Sequence, residues 1–269
     1  MSDLTPVKSA RDTVKGAANL MVTGPIGVGK TTQILTLPGR KFAYVFDPNA
    51  LESLKDNDID YLPFIPDVTD LDLSVKTLKK DVFDKTSKTR APQPKTYLAW
   101  EEDFEKRVDA GFFDSYDWIC FDSFTTFSEI IMDRVLYLNK RLGKQPEQAD
   151  WAAEMNTFRN VFRVATSFQC NLYCTAHTEI HRDDEVGKTY GQLIITGRNR
   201  VRIPMRFSQI YGLEADSDSK GSVYRCNTVS NRWSPFLRTS VKGLQPVEDV
   251  TINWAKDVVG QGIGRFVNR

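Results

Sequence analysis

From residue 24 the chain reads Gly24-Pro25-Ile26-Gly27-Val28-Gly29-Lys30-Thr31-Thr32, and its first eight residues have the spacing G-x-x-x-x-G-K-T. That spacing describes a phosphate cradle, and each residue type in it answers a chemical need. Glycines let backbone N–H groups curl inward around an anion, at a helix start whose partial positive charge favours it. Lys30 is placed to reach the β- and γ-phosphates of a nucleotide, and Thr31 to set its hydroxyl on Mg2+. The flanks supply the required context. Ala18 to Thr23 is a short apolar run suited to a buried parallel strand, and Thr32 to Leu37 is expected to continue as a helix until Pro38-Gly39 stops it.

Three later strands end in residues able to join that cradle. Trp118-Ile119-Cys120-Phe121-Asp122 is an apolar run closed by an acid, the Walker B pattern, whose carboxylate holds Mg2+ through water or through Thr31. Ser123 and Thr125 suit the cap of the helix that follows. Lys41 to Phe46 is a second buried strand, ending at Asp47-Pro48-Asn49. Ligand groups gather at the carboxyl ends of such strands, so Asp47 and Asn49 are site candidates; a strand-ending turn uses the same types for Asx hydrogen bonds. Asn171 to Glu179 is a further buried strand that ends in Thr175, His177, Thr178 and Glu179. A histidine there can touch the γ-phosphate and report its loss to the next loop, or can serve only as a satisfied turn residue.

The elements that must position these groups follow from hydrophobic periodicity. Helices are expected over about 71–82, 100–110, 124–142 and 149–168, and a short edge strand over Tyr61 to Pro66, where prolines interrupt donation. Residues 85–96 read as an exposed loop, and His181 to Gly191, rich in charge and glycine, as a mobile loop on the ligand face. Arg198, Arg200 and Arg202 alternate with other residues, which on a strand would put all three on one face. Such a row can bind a phosphodiester backbone, complete a neighbouring subunit's nucleotide site, or be a solvated face. Ser208 to Val229 alternates like an antiparallel hairpin at a sheet edge, and a loop, a short helix and a Gly-rich basic tail close the chain.

Length and composition narrow the classes. The 269 residues are ample for a large core, and 36 Lys and Arg against 35 Asp and Glu give a formal charge of +1, with no global field toward nucleic acid or membrane. The distribution is uneven: residues 41–117 hold seventeen acids against eleven bases, whereas 187–206 hold five bases and no acid. Four cysteines without a C-x-x-C pair and only two histidines argue for reduced thiols and against zinc. No signal peptide opens the sequence and no apolar run approaches a membrane span, so a cytoplasmic protein with no membrane partner is expected.

Gly24–Thr32, Phe46–Leu51, Trp118–Ser123, Cys174–Glu179, Ile210–Ala215 and Tyr224–Asn227 together resemble the RecA-type ATPase core. More narrowly they look like compact bacteriophage ATPases, single RecA cores of the AAA type or of the Sak type of single-strand annealing protein. The resemblance covers about residues 18–240. It implies an α/β RecA-like P-loop NTPase core, a mostly parallel sheet flanked by helices with C-terminal antiparallel edge strands, after a lead-in over 1–17 and before an extension over 241–269. ATP and Mg2+ are the implied cofactors: Lys30 and Thr31 bind phosphate and metal, Asp122 supports the metal, and His177 takes the γ-phosphate sensor place. The segment Thr178 to Gly191 matches the DNA-contacting loop of RecA-like proteins. One departure stands out: the family's water-orienting glutamate falls closest to Asn49, so Asp47, Glu52 or Glu179 substitutes, or hydrolysis is slow.

The leading expectation is an ATP-dependent phage protein of recombination or replication, oligomeric, acting on single-stranded DNA beside a single-strand-binding protein. Arg182, Lys188, Arg198, Arg200 and Arg202 are the DNA or trans-subunit candidates. A nucleotide or small-molecule kinase using Arg182 and Arg198, and a nucleotide-bound assembly factor that barely hydrolyses, are the alternatives.

Overall fold

The computed structural model describes residues 17–66, 93–184, 187–218 and 221–267. The helix expected over 71–82, most of the 85–96 loop and the lead-in before residue 17 lie outside the described residues.

Apolar runs that are buried on both faces form the centre of a nine-stranded sheet of order β3-β2-β4-β5-β1-β7-β8-β9, with β6 paired to β5 alone. The strands are β1 (Asn19–Gly24), β2 (Lys41–Val45), β3 (Asp60–Pro63), β4 (Trp118–Asp122), β5 (Asn171–Asp183), β6 (Lys188–Leu193), β7 (Gln209–Asp218), β8 (Gly221–Asn227) and β9 (Val247–Asp249). From β3 to β7 all neighbours are parallel, whereas β7-β8, β8-β9 and β5-β6 are antiparallel. This is the expected fold class: a mostly parallel sheet with flanking helices and antiparallel strands toward the C-terminus. One strand, β5, separates the phosphate-loop strand β1 from the Walker B strand β4.

Helices cover both faces. On one side lie α2 (Thr96–Asp109), α3 (Phe124–Leu138) and α4 (Gln148–Ala165), whose Trp100, Phe127, Phe158 and Phe162 pack with Phe46 and Phe121 of the sheet side in an aromatic-rich core. On the other lie a 3-10 turn (Thr32–Thr36) and α1 (Ala50–Leu54), with Ile34, Leu35 and Leu54 against Val22, Val45 and Tyr211. The segment after the phosphate loop is therefore a single tight turn rather than the helix expected over Thr32 to Leu37. α2 begins at Thr96, earlier than expected, and stops before Gly111, which has φ 62°.

The stretch expected as a mobile loop from His181 to Gly191 differs most. β5 runs on to Asp183 and turns back through β6, so His181 faces Tyr190 and Glu179 faces Gln192 in a two-stranded arm. Arg198, Arg200 and Arg202 are not on a strand either: α5 (Asn199–Arg202) carries the last two, with Arg198 at its N-cap, and a 3-10 turn (Pro204–Arg206) follows. At helical spacing Arg198 and Arg202 share a side and Arg200 points away from it.

The segment from 241 onward returns to the body. β9 extends the sheet, and Ile263 and the Phe266 of α6 (Gly264–Val267) are fully buried beside the 3-10 turn of the phosphate loop. Gln33 bridges this contact, donating to Val250 O at 2.9 Å and accepting from Ile263 N at 2.8 Å.

Candidate nucleotide site

Sheet register brings the expected groups to one level. Gly24 of β1 lies opposite His177 of β5, and Val45 of β2 opposite Asp122 of β4, so the ends of four strands converge at one edge. A Cβ on Gly24 would stand 2.6 Å from Leu213 O of β7, so only glycine lets the loop leave the sheet here. The loop, Asp47, Asn49, Asp122 and His177 line one cavity of about 330 Å3. Ile26 stands at its rim, 87% exposed, while Val28 turns inward to the core.

Lys30 is the centre of this cavity. Its ammonium donates to Gly24 O at 3.0 Å and Pro25 O at 2.6 Å, and lies 3.1 Å from His177 Nδ1. Burial strips its water and brings its pKa down to about 8, against the opposing pull of Asp122 and Asp47. Because the Lys30 ammonium donates to Nδ1, the neutral imidazole carries its proton on Nε2. That nitrogen stands 3.7 Å from an Asp47 carboxylate oxygen, a distance of electrostatic proximity rather than hydrogen bonding. Burial and Lys30 together lower the His177 pKa, outweighing Asp47. His177 is held in place from behind: its backbone N–H donates to Thr125 Oγ1 at 3.0 Å. Thr125 thus anchors the histidine, while Ser123 alone caps α3.

Thr31 Oγ1 donates to Asp122 Oδ2 at 2.7 Å, and Thr175 Oγ1 donates to the other carboxylate oxygen. Burial raises the Asp122 pKa, and the two hydroxyl bonds counter it. A hydroxyl and a carboxylate side by side at the cavity floor form an oxygen donor pair suited to a hard cation, so Thr31 and Asp122 fit Mg2+ shared with phosphate. Among the described residues no group of three or more His, Cys, Asp or Glu forms a metal site of its own. No helix among them is long and apolar enough to cross a membrane.

Asp47 accepts from Asn49 N at 3.0 Å in an Asx turn, and its carboxylate faces His177. Of the carboxylates weighed as substitutes for a water-orienting glutamate, Asp47 alone lines the cavity. Glu52 is exposed on α1, and Glu179 sits out on the arm, accepting from Gln192 Nε2 at 2.8 Å. The basic candidates also lie outside the cavity. Arg182 pairs with exposed Asp184 at 3.1 Å, Lys188 and Arg198 are exposed, and Arg200 donates to Gln192 Oε1 at 2.6 Å.

Three lining residues were not among the site candidates, Ala50, Ser53 and Tyr224. The Tyr224 ring lies 3.6 Å from where a Gly29 Cβ would be, which sets an aromatic face beside the phosphate loop where a base can rest. On an alternating strand such a tyrosine reads as core, and only the pairing of β8 with β7, the neighbour of β1, reveals its place.

Comparison with known proteins gives one family. No curated protein matches the chain. Among solved structures, the flagellar accessory protein FlaH from Methanocaldococcus jannaschii is similar at 12% identity and a TM-score of 0.38, over 88% of this chain and 86% of that one. At those values the likeness supports no inference about this chain. The family described as AAA domain matches residues 17–235, which takes in the phosphate loop, Asp47, Asp122, His177 and Tyr224. The chain belongs to the AAA domain family, and its phosphate loop and converging strand ends are those of a nucleotide-binding P-loop ATPase domain.

Proposed function

We propose that the chain is a Mg2+-dependent ATPase of phage recombination or replication that works as a homo-oligomer on single-stranded DNA in the host cytoplasm. The observation that carries this is the placement of His177. It touches Lys30 at one end of β5, and the same strand continues without a break into the arm that bears Arg182 and Lys188. A γ-phosphate drawing the Lys30 ammonium away from His177 Nδ1 would change the load on that strand, and the arm would carry the change outward. Asp47, beside His177 Nε2, is the group placed to accept a proton from or orient an attacking water. When bound, Mg2+ neutralises charge on the β- and γ-phosphate oxygens. Thr31 and Asp122 would hold the metal, and Tyr224 would face the base.

The test is ATP turnover with and without single-stranded DNA, in wild type and Lys30→Ala. DNA-stimulated turnover in wild type that Lys30→Ala abolishes is the expected result. Equal, low rates in both proteins would refute catalysis and leave a nucleotide-bound assembly factor. Turnover that responds to nucleoside monophosphates and ignores DNA would assign a kinase instead.

A further inference from the structure

A second cluster of chemistry lies on the α4 side of the sheet and shares no residue with the nucleotide cavity. Arg159 and Arg163 stand one turn apart on α4, and Arg202 and Arg206 stand four residues apart on α5 and the turn after it. With Ile203 and Met205 the four arginines line one cavity of about 380 Å3. Its walls are fixed by packing. Phe162 meets Phe207 with ring centroids 4.9 Å apart, Ile203 is fully buried, and Asn199 donates to Met155 O at 3.2 Å.

No acid lines this cavity, and among the described residues none of the four guanidinium groups has a carboxylate partner. Arg159 reaches only Asn156, and its Nε is buried without any partner. Four unpaired planar forks around one groove repel one another until an anion enters, and phosphate oxygens match that fork in two-point fashion.

The neighbouring cavity narrows the anion further. Across α5, His181, Tyr190, Arg200 and Phe236 help line a pocket of about 480 Å3, with the His181 and Tyr190 rings 5.5 Å apart edge to face. Val201, 65% exposed, and Pro204 line this second pocket, while Arg202, Ile203 and Met205 beside them in the chain line the first. Arginines that take phosphates beside aromatic faces that take unstacked bases are the combination that single strands require, and an acidic peptide has no use for the second half.

We propose that the groove of Arg159, Arg163, Arg202 and Arg206 binds the phosphodiester backbone of a single-stranded nucleic acid, which crosses α5 to set a base in the His181–Tyr190 pocket. This rests on the single-stranded DNA reading above and moves its main contact from the arm to the α4–α5 groove.

The experiment is fluorescence anisotropy of a labelled oligothymidylate across a salt series. It compares wild type, Arg202→Ala/Arg206→Ala, Arg159→Ala/Arg163→Ala and the charge-keeping Arg202→Lys/Arg206→Lys. Each alanine pair should flatten the slope of log affinity against log salt by about 1.4 and weaken binding roughly 25-fold near 0.1 M salt. The lysine pair should restore most of the slope. Fluorescent ATP-analogue binding should stay at wild-type strength throughout, which shows that the variants fold. Wild type that fails to bind the oligonucleotide overturns the DNA reading and the groove together. Wild type that binds, with alanine pairs that bind equally well, overturns the groove alone. Alanine pairs that change the oligomer size in sedimentation and leave DNA affinity intact assign the groove to a subunit contact, which also overturns it.

Discussion

Replacing Lys30 by methionine should remove nucleotide binding and at the same time make the unliganded protein more stable. Lys30 is 6% exposed, and burial brings its pKa from 10.5 to about 8. A displacement of that size corresponds to roughly 3 kcal/mol against the charged form in the folded state. The sign is set by which state releases the proton first. Below pH 8 both folded and unfolded chains carry the charge, and the full penalty is present. Between pH 8 and 10.5 the folded protein sheds its proton before the unfolded chain does, so the penalty fades as pH rises. Methionine fills similar volume without charge. The carbonyls of Gly24 and Pro25 lose their donor, and cavity water can replace it, so about 1–3 kcal/mol should survive as stabilisation near pH 7. Urea unfolding of the nucleotide-free proteins at about pH 7 and pH 9.5 measures it, and the difference between the two proteins cancels the titration of every group that does not feel Lys30. A methionine variant less stable than wild type at pH 7 would refute the reasoning. So would a stability difference that stays constant between the two pH values.

Three further outcomes are expected. Asp122→Asn, which weakens the carboxylate that accepts from Thr31 at 2.7 Å, should cut Mg2+-dependent ATP turnover about 10- to 100-fold while nucleotide binding without metal persists, as equilibrium titration with and without Mg2+ would show. Gly264→Ala would drive a Cβ to 1.8 Å from Thr36 O, backbone that cannot step aside, and should cost about 2–3 kcal/mol, read as a fall of roughly 5–10 °C in Tm. Glu154, fully buried and accepting from Ser128 Oγ at 2.6 Å, has its pKa pushed up to about 7 by burial. The folded state therefore keeps a proton that the unfolded chain releases near 4.5. Stability should fall by about 3 kcal/mol as pH rises from 4.5 to 7, a decline that Glu154→Gln should flatten in denaturant midpoints.

Where chemistry rather than packing dictates residue type, the sequence was legible. Gly24 to Thr31, Asp122 and His177 meet as expected, because a phosphate cradle and acids at strand ends have few substitutes. The arm was not legible. A two-stranded ribbon beyond the sheet has no buried face at its tip to impose alternation, so residues 181–191 look like loop while cross-strand pairs such as Glu179 with Gln192 set their register. The arginine alternation misled for the opposite reason. A spacing of two mimics a strand, yet Asn199 tied to Met155 O and Pro204 at the start of the next turn make a helical segment. Arg202 consequently joins Arg159 and Arg163, forty residues away in the chain, a neighbourhood that no local pattern announces. Tyr224 was hidden likewise, and the Gly-rich end of the chain reads as slack until Thr36 is seen to press on Gly264.

That last contact sets a timetable. The turn that carries the phosphate loop is braced through Gln33 by Ile263, 230 residues further along the chain, and through Thr36 by Gly264. At synthesis rates of about 5–20 residues per second, a nascent chain exposes its phosphate loop for roughly 10 to 50 s before the brace is made. In the earlier part of that interval, until Asn171 and the residues after it are made, β1 also lacks both of its sheet neighbours, β5 and β7. Nucleotide binding thus waits on residues well beyond the loop itself, and a ribosome-bound fragment ending before β5 would not sequester ATP.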